Sequence, residues 1–160
     1  MIRNVKVEDS KEIVDIYNYY ILNTCITFDM NELSLKEMEE KIKAKRNKEP
    51  WIVYEEENKI LGYAYVGEWR SKAAFNFTKE VTIYLNPKKK GSGIGTKLME
   101  ELIKMCKESG IRTLISVITV PNDISSSLHE KFGFNKVAYY EKVGFKQEKW
   151  LDVESWQLHI

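Results

Sequence analysis

Cysteine, histidine and proline are all scarce in this chain, and each shortage removes a class of explanation. The two cysteines, Cys25 and Cys106, stand far apart in apolar neighbourhoods. They read as reduced, buried thiols rather than a disulfide framework or a metal pair. The two histidines, His129 and His159, are too few and too distant for a His-rich metal centre, so no metal is expected. Neither sign of charge is in excess: 25 basic residues face 24 acidic ones. That balance gives no global reason to expect nucleic acid or an anionic membrane as a partner. No apolar run approaches the roughly 20 residues that span a bilayer, and the opening Met1-Ile2-Arg3-Asn4-Val5 lacks the apolar core of an export signal. A cytoplasmic location is therefore expected. Repeats, low-complexity tracts and Gly/Ser/Pro linkers are also missing, so residues 1–160 are expected to form one domain, large enough for a core without covalent staples.

What is present is periodicity. A short strand over residues 2–7 leads into a helix with Asp9 as N-cap, Glu12 three residues on, and Ile13, Ile16, Tyr17, Tyr20 and Ile21 on one face. A second helix starts at Ser34, with Glu37 completing a capping box, Leu35, Met38 and Ile42 inward, and Pro50 as its stop. Strands over 51–55 and 60–67 flank a polar turn, and a third covers 80–86. A glycine-rich turn then opens a helix over 94–109, which Gly110 ends. A buried strand over 113–119, a helix from Asn122 to about Phe132, and strands over 136–141 and 150–159 complete the order β-α-α-β-β-β-α-β-α-β-β. This is an α/β domain with a mixed sheet. The tail tryptophans Trp150 and Trp156 read as core or as a subunit surface.

The glycine turn carries the chemistry. In Lys88-Lys89-Lys90-Gly91-Ser92-Gly93-Ile94-Gly95-Thr96 a strand runs into three alternating glycines that start a helix. Missing side chains let backbone N–H groups converge on an anion, the helix N-terminus adds a favourable dipole, and three lysines add charge. A phosphate or pyrophosphate site is implied. A nucleoside triphosphate loop would need Gly-Lys-Ser/Thr, whereas the order here is Gly95-Thr96-Lys97; a dinucleotide fingerprint would need Gly-x-Gly-x-x-Gly at the start of a βαβ unit. An unliganded strand-to-helix turn stays open as the plain alternative.

Taken with its surroundings, the turn resembles the acetyl-CoA motif of the GNAT superfamily of N-acetyltransferases, Gln/Arg-x-x-Gly-x-Gly/Ala, with Lys90 in the first position. Asn122-x-x-Ser125-x-x-Leu128-His129-x-x-Phe132-Gly133-Phe134 is similar to the helix after that family's fifth strand. Within the superfamily the chain resembles the phosphinothricin acetyltransferase-like subfamily along nearly its whole length. The resemblance is carried by Tyr63 to Trp69, Glu80 to Pro87, Val117 to Asp123, Val143-Gly144-Phe145-Lys146 and Trp150 to Leu158.

The resemblance implies a GNAT fold, with a mixed, mostly antiparallel sheet flanked by helices, and an acetyl-CoA-dependent enzyme acting on the α-amino group of a small amino-acid-like substrate. It implies that backbone around Ile83, Tyr84 and Leu85 meets the acyl-pantetheine arm in a splay between two strands. It implies further that Lys90, Gly91, Ser92, Gly93, Ile94, Gly95 and Thr96 hold the pyrophosphate, and that Asn122 and Lys131 add contacts. Glu80, by itself a strand-end glutamate, becomes the general base; His129, by itself more often structural, becomes a proton donor or relay. Substrate contacts fall on Phe28, Arg70, Lys72, Ala73, Ala74, Phe75, Tyr84, Val117, Thr119 and Val153. Arg70 and Lys72 swap the subfamily's lysine and arginine, Phe75 replaces a tyrosine and Thr119 a glycine, so the acceptor is expected to differ in detail. A homodimer is implied too. Two competing readings are an acetyltransferase for a peptide N-terminus or polyamine and a non-catalytic coenzyme A-binding domain; the cationic Arg70 and Lys72 count against a polyamine.

Overall fold

A computed structural model describes residues 1–89 and 91–160. Among them, seven strands form one sheet: β1 (Ile2–Asn4), β2 (Trp51–Glu56), β3 (Lys59–Glu68), β4 (Thr78–Leu85), β5 (Thr113–Val120), β6 (Asn135–Lys146) and β7 (Lys149–His159). Their spatial order is β1-β2-β3-β4-β5-β7-β6. Every neighbouring pair is antiparallel except β4 and β5, which run parallel. The helices are α1 (Ser10–Asn23), α2 (Leu35–Lys45), α3 (Ile94–Glu108) and α4 (Asp123–Lys131). The expected order of elements is the observed one.

Two cores sandwich the sheet. On one face Ile13, Ile16, Tyr17, Tyr20 and Ile21 of α1 and Met38 and Ile42 of α2 pack against Trp51, Val53 and Tyr63. On the other, Leu98, Met99, Leu102 and Cys106 of α3 pack against Ile52, Ala64, Val81, Leu114 and Trp156. Alternate residues of one strand serve opposite cores, as Ile52 and Val53 do, because successive side chains leave a strand on opposite faces. The helices obey the complementary rule. In α2 the seam is Met38 and Ile42, four apart, while Leu35 in the first turn is exposed rather than inward.

Several local expectations change for identifiable reasons. β1 ends at Asn4, and Val7–Asp9 form a 3-10 turn. Asp9 does not cap α1: its carboxylate accepts hydrogen bonds from Nη1 and Nη2 of Arg3, each at 2.8 Å, and from the Lys6 N–H at 2.8 Å. Glu12 is likewise drawn away, accepting the Ile60 N–H at 2.9 Å. The Ser34–Glu37 capping box forms as expected. α2 stops at Lys45, short of Pro50. β6 continues past Glu141 to Lys146, because a register shift between Tyr140 and Gly144 absorbs the break and pairing resumes at Gly144↔Leu151. Cys106 is buried, but Cys25 is only half-buried. Trp156 joins the core, whereas Trp150 is exposed.

Burial raises the proton affinity of Asp9, yet the Arg3 fork and the Lys6 amide outweigh it and hold the carboxyl below its ordinary range. A depressed carboxylate contributes stability that is present above the unfolded-state value and lost as pH falls through the folded-state value. Asp9→Ala should therefore lower stability by about 1–3 kcal/mol at pH 7. Urea melts should show the gap to wild type closing as pH drops below the ordinary carboxylate range.

Candidate active site

The central strands are paired over only three residues: Thr78↔Thr113, Lys79↔Leu114 and Glu80↔Ile115. Beyond Glu80 both strands run on, but towards different neighbours. β3 accompanies β4 as far as Gly62↔Leu85, and β7 accompanies β5 as far as Val120↔Asp152. The sheet opens into a V with Glu80 at its apex, and its inner edges carry main-chain groups without a ladder partner, the usual template for an added extended chain.

The opening holds two adjoining cavities of about 110 Å³ each. Ile26, Ile83, Tyr84, Asn122 and Ser125 line both. One reaches Leu85, Gly95 and Leu128, beside the start of α3. The other reaches Glu80, Thr82, Val117, Thr119 and His129. A continuous path thus joins the glycine turn to Glu80.

At the mouth, Gly91 and Gly93 both take φ of +78°, and a Cβ on either would meet nothing within 4 Å. These glycines are required by backbone conformation, not by crowding. Gly93 is the N-cap of α3 and supplies no side-chain acceptor; the first turn carries no acidic residue. The leading N–H groups of a 15-residue helix are therefore left to an external anion. Ile94 turns its side chain into the core, so only its main chain faces that anion. Lys90 lies outside the described residues.

At the apex, burial pushes the Glu80 carboxyl above the ordinary glutamate range, and the Lys45 ammonium opposes that rise. Lys45 reaches in from α2: its Nζ lies 2.9 Å from where a Cβ on Gly67 would be, and Gly67 is the β3 partner of Glu80. Across the gap, His129 is 1% exposed. Its Nδ1 lies 2.7 Å from the Ser125 carbonyl. A carbonyl only accepts, so Nδ1 carries the proton and Nε2 is left with a lone pair. Nε2 is buried with no hydrogen-bond partner among the described residues. Burial lowers the imidazole's proton affinity, with the Ser125 bond working weakly against it. Asn122 caps α4 through Oδ1, which accepts the Ser125 N–H at 3.3 Å.

The family model described as an acetyltransferase (GNAT) domain matches residues 2–155. The chain belongs to the GNAT acetyltransferase family. Among its relatives, an L-methionine sulfoximine/L-methionine sulfone acetyltransferase from Salmonella typhimurium is 33% identical, over 99% of this chain and 94% of that protein. Among solved structures, an N-acetyltransferase from Staphylococcus aureus has a TM-score of 0.97 at 36% identity, covering 99% of this chain and 97% of that one. A GNAT superfamily phosphinothricin acetyltransferase from Sinorhizobium meliloti, in complex with AcCoA, has a TM-score of 0.95 at 32% identity, covering 100% and 88%.

Of the residues singled out in the sequence, this GNAT fold gathers Glu80, Ile83, Tyr84, Leu85, Gly95, Asn122, Val117, Thr119 and His129 around the gap. Val153 is the β7 partner of Thr119 and stands on the same face. Phe28 lines neither cavity; it is exposed, with its ring over Gly144. Arg70, Lys72, Ala73 and Ala74 are exposed in the β3–β4 connection and line neither cavity. There the Arg70 guanidinium stacks 4.3 Å from the Trp69 ring and 5.6 Å from Phe75. Lys131 is exposed at the end of α4. The sequence assigned no site role to Ile26, Ser125 or Leu128, although Ser125 and Leu128 stand in the motif that starts at Asn122. The last two share a helical face with Asn122 and His129 at three- and four-residue spacing, a signal that was available; Ile26, in an irregular connection, carried none.

The resting His129 of this acetyltransferase should show Nδ1–H with a bare Nε2 in long-range ¹H–¹⁵N correlation spectra. It should titrate below the ordinary histidine value of about 6.5.

Proposed function

We propose that this chain transfers acetyl from acetyl-CoA directly to the α-amino group of a small amino-acid-like acceptor, such as phosphinothricin, methionine sulfoximine, methionine sulfone or a related compound. One observation carries the reading: an uncapped helix N-terminus and a half-buried carboxylate stand at the two ends of one gap between parallel strands. Acetyl-CoA supplies the activated acetyl thioester. The amides of Gly91 to Thr96 take its pyrophosphate, the open edge of β4 around Ile83 to Leu85 takes its extended arm, and Asn122 and Lys131 add side-chain contacts.

The acceptor amine is protonated near neutrality and must lose that proton before its lone pair can attack the acyl carbon. Glu80 takes it, directly or through one water; its raised proton affinity brings a glutamate closer to the task. As the C–S bond breaks, the departing sulfur needs a proton. The nitrogen sheds a second proton once its bond to the acyl carbon has formed; His129, whose resting Nε2 is an acceptor, serves as the relay that collects it and passes it to the sulfur. Val117 and Thr119, with Val153 beside Thr119, wall the acceptor's side chain within the gap, while Phe28, Arg70, Lys72, Ala73, Ala74 and Phe75, which line neither cavity, meet the acceptor only from outside it, Arg70 and Lys72 on its acidic groups.

Glu80→Gln should lower kcat at least about tenfold, or roughly 1.4 kcal/mol in the barrier, with acetyl-CoA affinity by calorimetry nearly unchanged. Because the base works ionised, wild-type kcat/KM should fall as pH drops through a value above the ordinary glutamate range. That limb should vanish in Glu80→Gln and move upward in Lys45→Met. Unchanged turnover in Glu80→Gln removes Glu80 from the chemistry.

We further propose a cytoplasmic homodimer over residues 1–160, formed through the exposed apolar side chains of β6 and β7. Val137, Tyr139, Tyr140, Val143, Phe145 and Trp150 are all about half exposed there. Sedimentation velocity should give a two-chain mass for wild type and a one-chain mass for Trp150→Glu.

A further inference from the structure

The connection between α1 and α2 bridges the open V on its acceptor side, and both of its anchorages are visible. Ile26 lines both cavities of the gap and a third hollow formed with Thr119, Pro121 and Leu151. On the β4 bank, the Tyr84 ring packs against that of Tyr17, with 5.1 Å between centroids. The Tyr17 hydroxyl meets Thr27 Oγ1 at 3.0 Å and also donates to the Asp29 carboxylate. On the opposite bank, the Lys146 ammonium at the end of β6 donates to the Thr27 carbonyl at 2.8 Å and to the Asp29 carbonyl at 2.9 Å. Cys25 Sγ donates to Gln147 Oε1 at 3.4 Å.

Lys146 is 4% exposed. Among the described residues no carboxylate lies within ion-pair distance of it, and burial pulls its proton affinity down. An ammonium is an expensive way to fill such a space, and a methionine would pack there without desolvating a charge. What only a lysine supplies is a set of donors that pins two carbonyls two residues apart. The residue between those carbonyls is Phe28. Its ring lies so close over Gly144 that a Cβ there would come within 2.3 and 2.4 Å of two ring carbons. Ammonium and glycine, two residues apart on β6, therefore hold one backbone and seat one ring.

We propose that Lys146 and Gly144 are positioning residues for the acceptor, fixing the connection that carries Ile26 into the gap and seats the Phe28 ring on Gly144, and so setting which amino acid fits. The proposal rests on the acceptor reading given above. General structural support would instead alter affinity for both substrates alike, or alter stability alone.

The test uses Lys146→Met, Gly144→Ala, Phe28→Ala and the Gly144→Ala/Phe28→Ala pair, with L-phosphinothricin and L-methionine sulfone as acceptors. Lys146→Met should raise acceptor KM at least about tenfold, with acetyl-CoA KM within about twofold. Amide hydrogen exchange over residues 26–29 should accelerate at least about tenfold while that of α3 stays unchanged. Gly144→Ala should raise acceptor KM similarly in the wild-type background, yet by less than about twofold where Phe28 is already alanine. Equal rises in both KM values, or an equal cost of Gly144→Ala with and without the Phe28 ring, would overturn the proposal. If Lys146→Met does not fold, the Gly144–Phe28 cycle decides. Should wild type acetylate neither compound, the acceptor reading fails, and the exchange experiment still rules on the tether: unchanged exchange at 26–29 ends it.

Discussion

Three rungs of parallel pairing between β4 and β5 hold the two halves of the sheet together, and where they stop everything else becomes possible. Had the ladder continued to Leu85 and Val120, the inner edges would be satisfied and no cavity would reach Glu80. Main-chain groups left without partners are costly unless water or a ligand meets them. The split is sustained because each half is secured on its outer side. β4 is backed by β3 through seven register pairs and β5 by β7 through eight, enough for each bank to hold its shape alone.

The helices determine what the gap is for. α3 starts beside its mouth with a glycine where a capping side chain would otherwise sit, leaving a fractional positive charge facing outward. α4 starts on the β5 bank, where Asn122 spends its carbonyl oxygen on the cap and His129, on the same helical face, turns a bare nitrogen inward. α2 contributes Lys45 from above the apex. The gap is thus electropositive at its mouth and holds two groups at its far end, Glu80 and His129, whose charged forms burial disfavours. Two groups whose proton affinities are shifted in this way suit an amine that must shed a proton and a sulfur that must gain one.

Across the acceptor side, the connection from Thr24 to Asp29 has no regular structure of its own, yet it is tied on both flanks. Tyr17 holds it from α1, and Lys146 holds it from β6. Irregular segments that carry binding side chains need such anchors, since they lack a ladder or a helix to fix them.

Local patterns settled a good deal without any coordinates. The four-residue spacing of Met38 and Ile42, the Ser34–Glu37 box and the glycines that end helices at 110 and 133 depend on a few adjacent residues. They could therefore be read from the order of amino acids, as could the glycine turn as an anion site. Long-range competition was not legible in that way. Asp9 looked like a cap until Arg3 claimed its carboxylate, and β6 seemed to end at Glu141 until Leu151 offered pairing beyond the bulge. Ile26 and Lys146 gave no local sign, because they matter only through what folding places opposite them. Which residues could touch the gap was written in the chain; that a gap exists, and that an isoleucine and a buried ammonium guard it, was decided by strands 35 residues apart meeting for only three pairs.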